Sequence, residues 1–316
     1  MVKMPAKRNI GYGKTILFGE HFVVYGLPAI ASAISDYTEA KVEKGSRGIE
    51  LVDNRPETPG YKETKKGEIS REIDAILKFM KIDSGKTPLK ITLSGNLVCA
   101  SGVGASAALA SSVARALSEH FKLNLNDDEI NEIAFEGERG GSETPSGIDN
   151  TASTYGGLLI FEKNLQGGKN KIERLKISKP VDILLVNSGV TQETKEVVAD
   201  VRKLKESDGE AFDAIVKEYK KVFEDGLKAL KEYDLEKLGD AMNRNQALLR
   251  KITVSSRLMD ELQETALQNG AIGAKLTGTG RGGLLIALTP DRKIQGKVAK
   301  AFEKKGFQVT RTQIGI

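Results

Sequence analysis

At 316 residues and 34.2 kDa the chain has room for one large domain or two modest ones around a full core. Charged residues at 29% and hydrophobic residues at 39% are ordinary for a soluble globular protein, and no apolar run approaches membrane-span length. The net charge of +5 suits anionic ligands, yet acidic and basic residues alternate and no basic cluster carries interleaved aromatics, which argues against a nucleic-acid partner.

Residues 8–52 read as β-rich, with short runs at 16–18, 22–24, 29–34 and 38–42 broken by glycine and Pro28. A proline- and glycine-containing loop over 53–63 precedes a helix whose Ile69, Ile73, Ile76, Leu77 and Met80 share one face. The strand Leu89 to Leu93 leads through Gly102 and Gly104 into an alanine-rich helix starting at Ala105 or Ser106. Asn126 caps the next helix, which ends at Gly140-Gly141. Residues 142–153 read as a polar loop, ahead of an apolar strand over 157–161.

The second half opens with the strand Val181 to Val186 and continues with helical patterns over 191–206, 209–232 and 235–251. Ser255 is the expected N-cap of a further helix that ends at Gly270. Strands 272–276 and 284–288 flank a glycine-rich turn, and Thr289-Pro290 should open a helix that stops at Gly306, ahead of a strand over 307–310. With the long helices counted as one insertion, the order is βαββαβ, the ferredoxin-like unit. A boundary near residue 178 follows, giving domains 1–178 and 179–316.

Three glycine-rich segments compete as anion sites. Gly11-Tyr-Gly-Lys-Thr15 carries the tail of a P-loop, but Arg8 stands where its first glycine belongs and a strand follows in place of a helix. Gly102-Val-Gly-Ala-Ser-Ala107 fits a dinucleotide fingerprint, but no strand with a closing acidic residue follows near 121–126, so a nicotinamide-dependent oxidoreductase is disfavoured. What remains there is a loop that aims free N–H groups and a helix dipole at a phosphate, or else a simple packing turn. Gly278-Thr-Gly-Arg-Gly-Gly283 has strands on both sides and reads as a turn, with or without a phosphate against it. Near Glu138, the segment running to Asp149-Asn150 offers carboxylates for magnesium and for proton acceptance; an Asx turn is the alternative. His120 reads as structural, and no Ser–His or Cys/His arrangement is present.

The motifs around Gly13–Gly26, Gly102–Ala108, Thr144–Asn150 and Lys275–Gly283, in that order, together resemble the mevalonate kinase family of the GHMP small-molecule kinase superfamily. The Gly-Thr-Gly-Arg-Gly-Gly form is similar to the trypanosomatid version in particular. The resemblance implies a two-domain α+β GHMP-kinase fold, an N-terminal mixed α/β domain plus a C-terminal ferredoxin-like domain with inserted helices, and an active site in the cleft between them. It implies ATP-dependent phosphorylation of the primary hydroxyl of mevalonate, in isoprenoid precursor biosynthesis, with Mg2+. Sister kinases acting on phosphomevalonate or homoserine are the alternative, and a non-catalytic nucleotide sensor is disfavoured.

By position, Gly102, Val103, Gly104, Ala105 and Ser106 would wrap the triphosphate, and Ser106 would join Glu138 around magnesium. Asp149 would be the catalytic carboxylate, with Lys14 beside it neutralising charge in transfer. Glu20 and His21 would orient mevalonate, and Gly278 and Gly280 would contact the nucleotide. Three positions depart from the family pattern: Ala105 replaces a serine, Ser142-Glu143 adds a carboxylate, and Arg281 replaces a glycine and adds a cation for the phosphates. The single cysteine, Cys99, and a start without a signal-peptide core point to the cytoplasm. Oligomeric state is left open, with a homodimer compatible.

Overall fold

A computed structural model describes residues 9–100, 102–141, 145–168, 170–190, 192 and 194–316. In chain order the elements of the first half are β1 (Ile10–Phe18), β2 (Ala29–Lys44), β3 (Ile49–Asp53), α1 (Tyr61–Phe79), β4 (Leu89–Gly95), α2 (Ala105–His120), α3 (Asp127–Gly141) and α4 (Ile148–Tyr155). Those of the second half are β5 (Leu158–Glu162), β6 (Lys171–Leu175), β7 (Val181–Asn187), α5 (Thr194–Ser207), α6 (Gly209–Glu232), α7 (Leu235–Lys251), α8 (Arg257–Gln268), β8 (Gly273–Thr277), β9 (Leu284–Leu288), α9 (Arg292–Glu303) and β10 (Gln308–Ile314). They form two compact units that are not consecutive in sequence. The first takes residues 1–14 and 33–156, and the second takes 15–32 and 157–316.

In the first unit β4 lies between β2, antiparallel to it, and β3, parallel to it. Along β4 the side chains of Leu89, Ile91 and Leu93 are buried while those between them are not, the period of two expected of a strand with one covered face. That face packs on Ile69, Ile73, Ile76 and Leu77 of α1, Leu109, Val113 and Leu117 of α2, and Ile130 and Ile133 of α3. Helix α2 is buried nearly all round, which explains its small residues: larger ones would hold its neighbours away. Two glycines do the same for α3. A Cβ at Gly137 would come within 2.8 Å of the Ile76 side chain, and one at Gly140 within 2.6 Å of the Arg71 carbonyl oxygen, so α1 and α3 approach closely only because both side chains are missing.

In the second unit the strand order β10-β7-β9-β8 is antiparallel throughout. With β7, α8, β8, β9, α9 and β10 taken in sequence, this is the ferredoxin-like βαββαβ arrangement, and α5, α6 and α7 are the insertion. Strands β8 and β9 are buried along their whole length.

Several local expectations are corrected. Residues 22–25 form a 3-10 turn, not a strand, and β2 is one sixteen-residue strand where two runs were expected. Ser256, not Ser255, caps α8 by accepting the Met259 N–H, because the Ser255 hydroxyl is taken by Asp260 at 2.7 Å. Asp291, not Thr289, caps α9; a carboxylate accepts the Ile294 N–H there, and the Thr289 hydroxyl turns to the Asp182 carbonyl. The supposed loop over 142–153 contains helix α4. Its polar Asn150, Thr151, Ser153 and Thr154 are buried, so hydrophobic periodicity gave no sign of it. The Ser142-Glu143 departure lies outside the described residues.

Candidate active site

The first unit gathers Lys14, the Gly102–Ser106 loop, Glu138 and Asp149. Gly11 brings β1 against α2 so tightly that a Cβ there would lie 2.2 Å from the Ala108 carbonyl oxygen. The Gly-Tyr-Gly-Lys segment is therefore a strand that packs closely, and its glycines serve that packing. Three residues on, the Lys14 backbone N–H donates to the Val103 carbonyl at 2.8 Å and fastens the strand to the glycine loop. Gly104 caps α2 at φ +70°, where an L side chain is strained, and its missing Cβ faces Lys14 at 3.3 Å. The N-terminus of a sixteen-residue helix, with its unpaired N–H groups, thus opens beside the lysine.

Lys14 Nζ lies 3.1 Å from Asp149 Oδ1. The lysine side chain is 8% exposed and the aspartate 35%, so the acid faces outward from a buried cation. Asp149 stands in the first turn of α4, where the helix dipole favours its negative charge. Glu138 sits on the buried stripe of α3 with Ile130, Ile133, Ala134 and Gly137. Burial pushes its carboxyl well above the ordinary value; the negative charges of Asp149 and Glu72 add to this, and Lys14 and the Asn150 N–H oppose it. Its Oε2 is buried and has no hydrogen-bond partner among the described residues.

Three residues of consequence escaped the sequence reading. Glu72 is 1% exposed, and its Oε2 accepts the Ser106 hydroxyl at 3.0 Å. Burial pushes its carboxyl up to about 8, against the Ser106 bond and the Arg55 charge. The signal was present: Glu72 interrupts the apolar stripe Ile69, Ile73, Ile76, Leu77, and an acid there is out of place unless something uses it. Arg55, 3% exposed, pairs with Asp53 and donates to the Ala105 carbonyl at 3.3 Å, which steadies the start of α2. Lys275 is a charge inside an apolar strand, and the same signal applied to it.

The second unit gathers the other expected residues. Glu20 Oε1 meets Lys275 Nζ at 2.5 Å, with neither side chain exposed, and the same ammonium donates to the Leu276 carbonyl at 2.6 Å. His21, at φ +61°, has its Nε2 2.6 Å from the Thr279 carbonyl oxygen, so it is tied to the Gly278–Gly283 turn. Burial lowers its imidazole below the ordinary 6.5, opposed by the Thr279 bond and assisted by the Arg281 charge. Within the turn, a Cβ at Gly280 would strike the Val254 carbonyl oxygen at 2.6 Å, whereas Gly278 has open space around it. The Arg281 guanidinium reaches Asp200 of α5 at 2.7 Å and the Thr253 carbonyl at 2.9 Å. Its cation is engaged with protein groups on two sides.

Comparison with known proteins adds a second line. Residues 71–157 match the GHMP kinases N terminal domain, and residues 227–308 match the GHMP kinases C terminal domain. The mevalonate kinase of Thermococcus sibiricus is 34% identical over 95% of this chain and 94% of its own. The chain belongs to the mevalonate kinase family. The mevalonate kinase of Pyrococcus horikoshii is 34% identical over 93% of this chain and 91% of its own. The crystal structure of L. major mevalonate kinase in complex with R-mevalonate matches with a TM-score of 0.93 at 39% identity, covering 98% of this chain and 96% of that one. This agrees with the expected likeness to the trypanosomatid form within the mevalonate kinase family. A Methanococcus jannaschii mevalonate kinase matches at a TM-score of 0.80 and 27% identity, covering 96% and 97%.

Proposed function

We propose that this enzyme transfers the γ-phosphoryl group of ATP to the primary hydroxyl of mevalonate, giving 5-phosphomevalonate and ADP. The observation that carries this reading is the Lys14–Asp149 pair beside the N-terminus of α2. Phosphoryl transfer asks for positioning and charge neutralisation more than for covalent chemistry. The loop Gly102–Ser106 supplies N–H groups for the phosphates. Asp149 accepts the alcohol's proton as its oxygen attacks the γ-phosphorus and the bond to the β-phosphate oxygen breaks. Lys14 stands where negative charge is transferred and holds Asp149 in place.

Among the described residues no group of three His, Cys, Asp or Glu could hold a metal ion. Magnesium takes one or two carboxylates and leaves the rest of its shell to water and phosphate. The partnerless buried Oε2 of Glu138 and the hydroxyl of Ser106 suit it. A magnesium ion held there would neutralise charge developing across the β- and γ-phosphates. Glu20 and His21 are proposed to contact mevalonate, and Gly278 and Gly280 the nucleotide.

The proposed boundary near residue 178 falls between the two matched family domains, whereas the compact units divide after residue 156 and give residues 15–32 to the second. Among the described residues no helix is long and apolar enough to cross a membrane. Cytoplasmic placement rests on the lone cysteine, and the oligomeric state stays open, with a homodimer compatible. Coupled ADP release with mevalonate against phosphomevalonate, homoserine and galactose tests the function. Preferred turnover of mevalonate is expected, and faster turnover of another alcohol would replace it.

A further inference from the structure

Resting on the assignment of Ser106 to the metal, we propose that Glu72 is a positioning residue. It fixes the Ser106 hydroxyl with its proton turned inward and its lone pairs turned outward, toward the cation. A serine hydroxyl is donor and acceptor at once, and as a free rotor it offers its hydrogen to a cation part of the time. The Ser106 Oγ donates to Glu72 Oε2 at 3.0 Å, so the hydrogen has a fixed destination. Ser106 itself is exposed, whereas Glu72 is 1% exposed and lies behind it. Glu72 therefore acts through the hydroxyl.

Two further observations point the same way. The second oxygen of Glu72, Oε1, is buried with no hydrogen-bond partner among the described residues, as is Glu138 Oε2. A core position does not hold a carboxyl in this condition for packing alone, since leucine or methionine would fill the stripe of α1 without the desolvation cost. The notch made by Gly137 and Gly140 presses α3 onto α1 and so brings the helix that carries Glu138 against the helix that carries Glu72. Glu72 and Glu138 thus come from two helices packed together, and Ser106 bonds to the first of these acids.

The test compares Glu72→Met, Glu72→Gln, Ser106→Ala and the Glu72→Met/Ser106→Ala double variant in the full chain. Mn2+ binding is followed by electron paramagnetic resonance with a non-hydrolysable ATP analogue present, and metal-free analogue binding by calorimetry. Glu72→Met should weaken Mn2+ binding about tenfold, as Ser106→Ala does, with metal-free analogue binding unchanged. Glu72→Gln keeps a carbonyl acceptor and should stay within about threefold of the parent. The double variant should be no weaker than Ser106→Ala, because coupled residues are non-additive. Additive losses, or a Glu72→Met protein that binds Mn2+ like the parent while Ser106→Ala does not, overturn this inference alone. Unchanged Mn2+ binding in Ser106→Ala overturns the metal assignment and the inference together. Should Glu72→Met fail to fold, a Glu72→Gln protein as weak as Ser106→Ala overturns it instead.

Discussion

Lys275→Met isolates the buried ion pair of the second unit. The pair is fully hidden, Nζ and Oε1 are 2.5 Å apart, and the ammonium makes a second bond to the Leu276 carbonyl. Burial lowers the lysine's pKa, opposed by the adjacent glutamate through its charge and its hydrogen bond. Removing one partner leaves a carboxylate desolvated without its cation, which costs about 3–5 kcal/mol. At about 2–4 °C per kcal/mol for a domain of this size, the melting temperature should fall by roughly 6–20 °C. The Glu20→Gln/Lys275→Met pair removes both charges, and its loss should be well below the sum of the single losses. Guanidinium unfolding followed by circular dichroism measures all three proteins. A loss under about 1 kcal/mol for Lys275→Met, or simple additivity in the double variant, would refute the reasoning that each buried charge depends on the other.

Asp149→Ala should lower kcat by roughly 10²–10⁴-fold while ATP still binds, measured by coupled ADP release and calorimetry; near-normal turnover removes Asp149 from the mechanism. Gly104→Ala places a Cβ at φ +70° and 3.3 Å from Lys14, a strain of about 1–2 kcal/mol that should raise the KM for ATP roughly five- to thirtyfold; an unchanged KM would show that the loop does not grip the phosphates. His21 is held neutral by burial, so its contribution to stability is complete above about 6.5. It is lost as pH falls through its lower folded value, because the unfolded chain binds the proton more tightly. Melting temperatures from about pH 5 to 8 should therefore slope less in His21→Gln, and equal slopes would count against this. Arg281→Gly relieves a φ of +54° and breaks a half-exposed ion pair, so stability should stay within about 1 kcal/mol. A rise in the KM for ATP would support a phosphate contact; no change would leave the guanidinium with the tasks of fastening α5 and Thr253.

Much of the first unit could be read directly. Ile69, Ile73, Ile76 and Leu77 announced α1, and the glycines before Ala105 announced the opening of α2, because these signals are local and periodic. Helix α4 was not readable, since the polar Asn150, Thr151, Ser153 and Thr154 are buried on it beside Ile148 and Ala152 and blur the apolar period. The motif order was enough to indicate the family.

What the sequence determined by itself was the order of strands and helices from β7 onward, the glycine loop ahead of α2 and the residue types available for phosphoryl transfer. Only the tertiary structure decided that Glu72 stands behind Ser106, that Glu20 is bound to Lys275, and that Gly11 is a packing residue. These facts depend on residues 34, 255 and 97 positions apart meeting in a packed interior. Proximity at that range comes from helix notches and strand register, which no local period along the chain encodes.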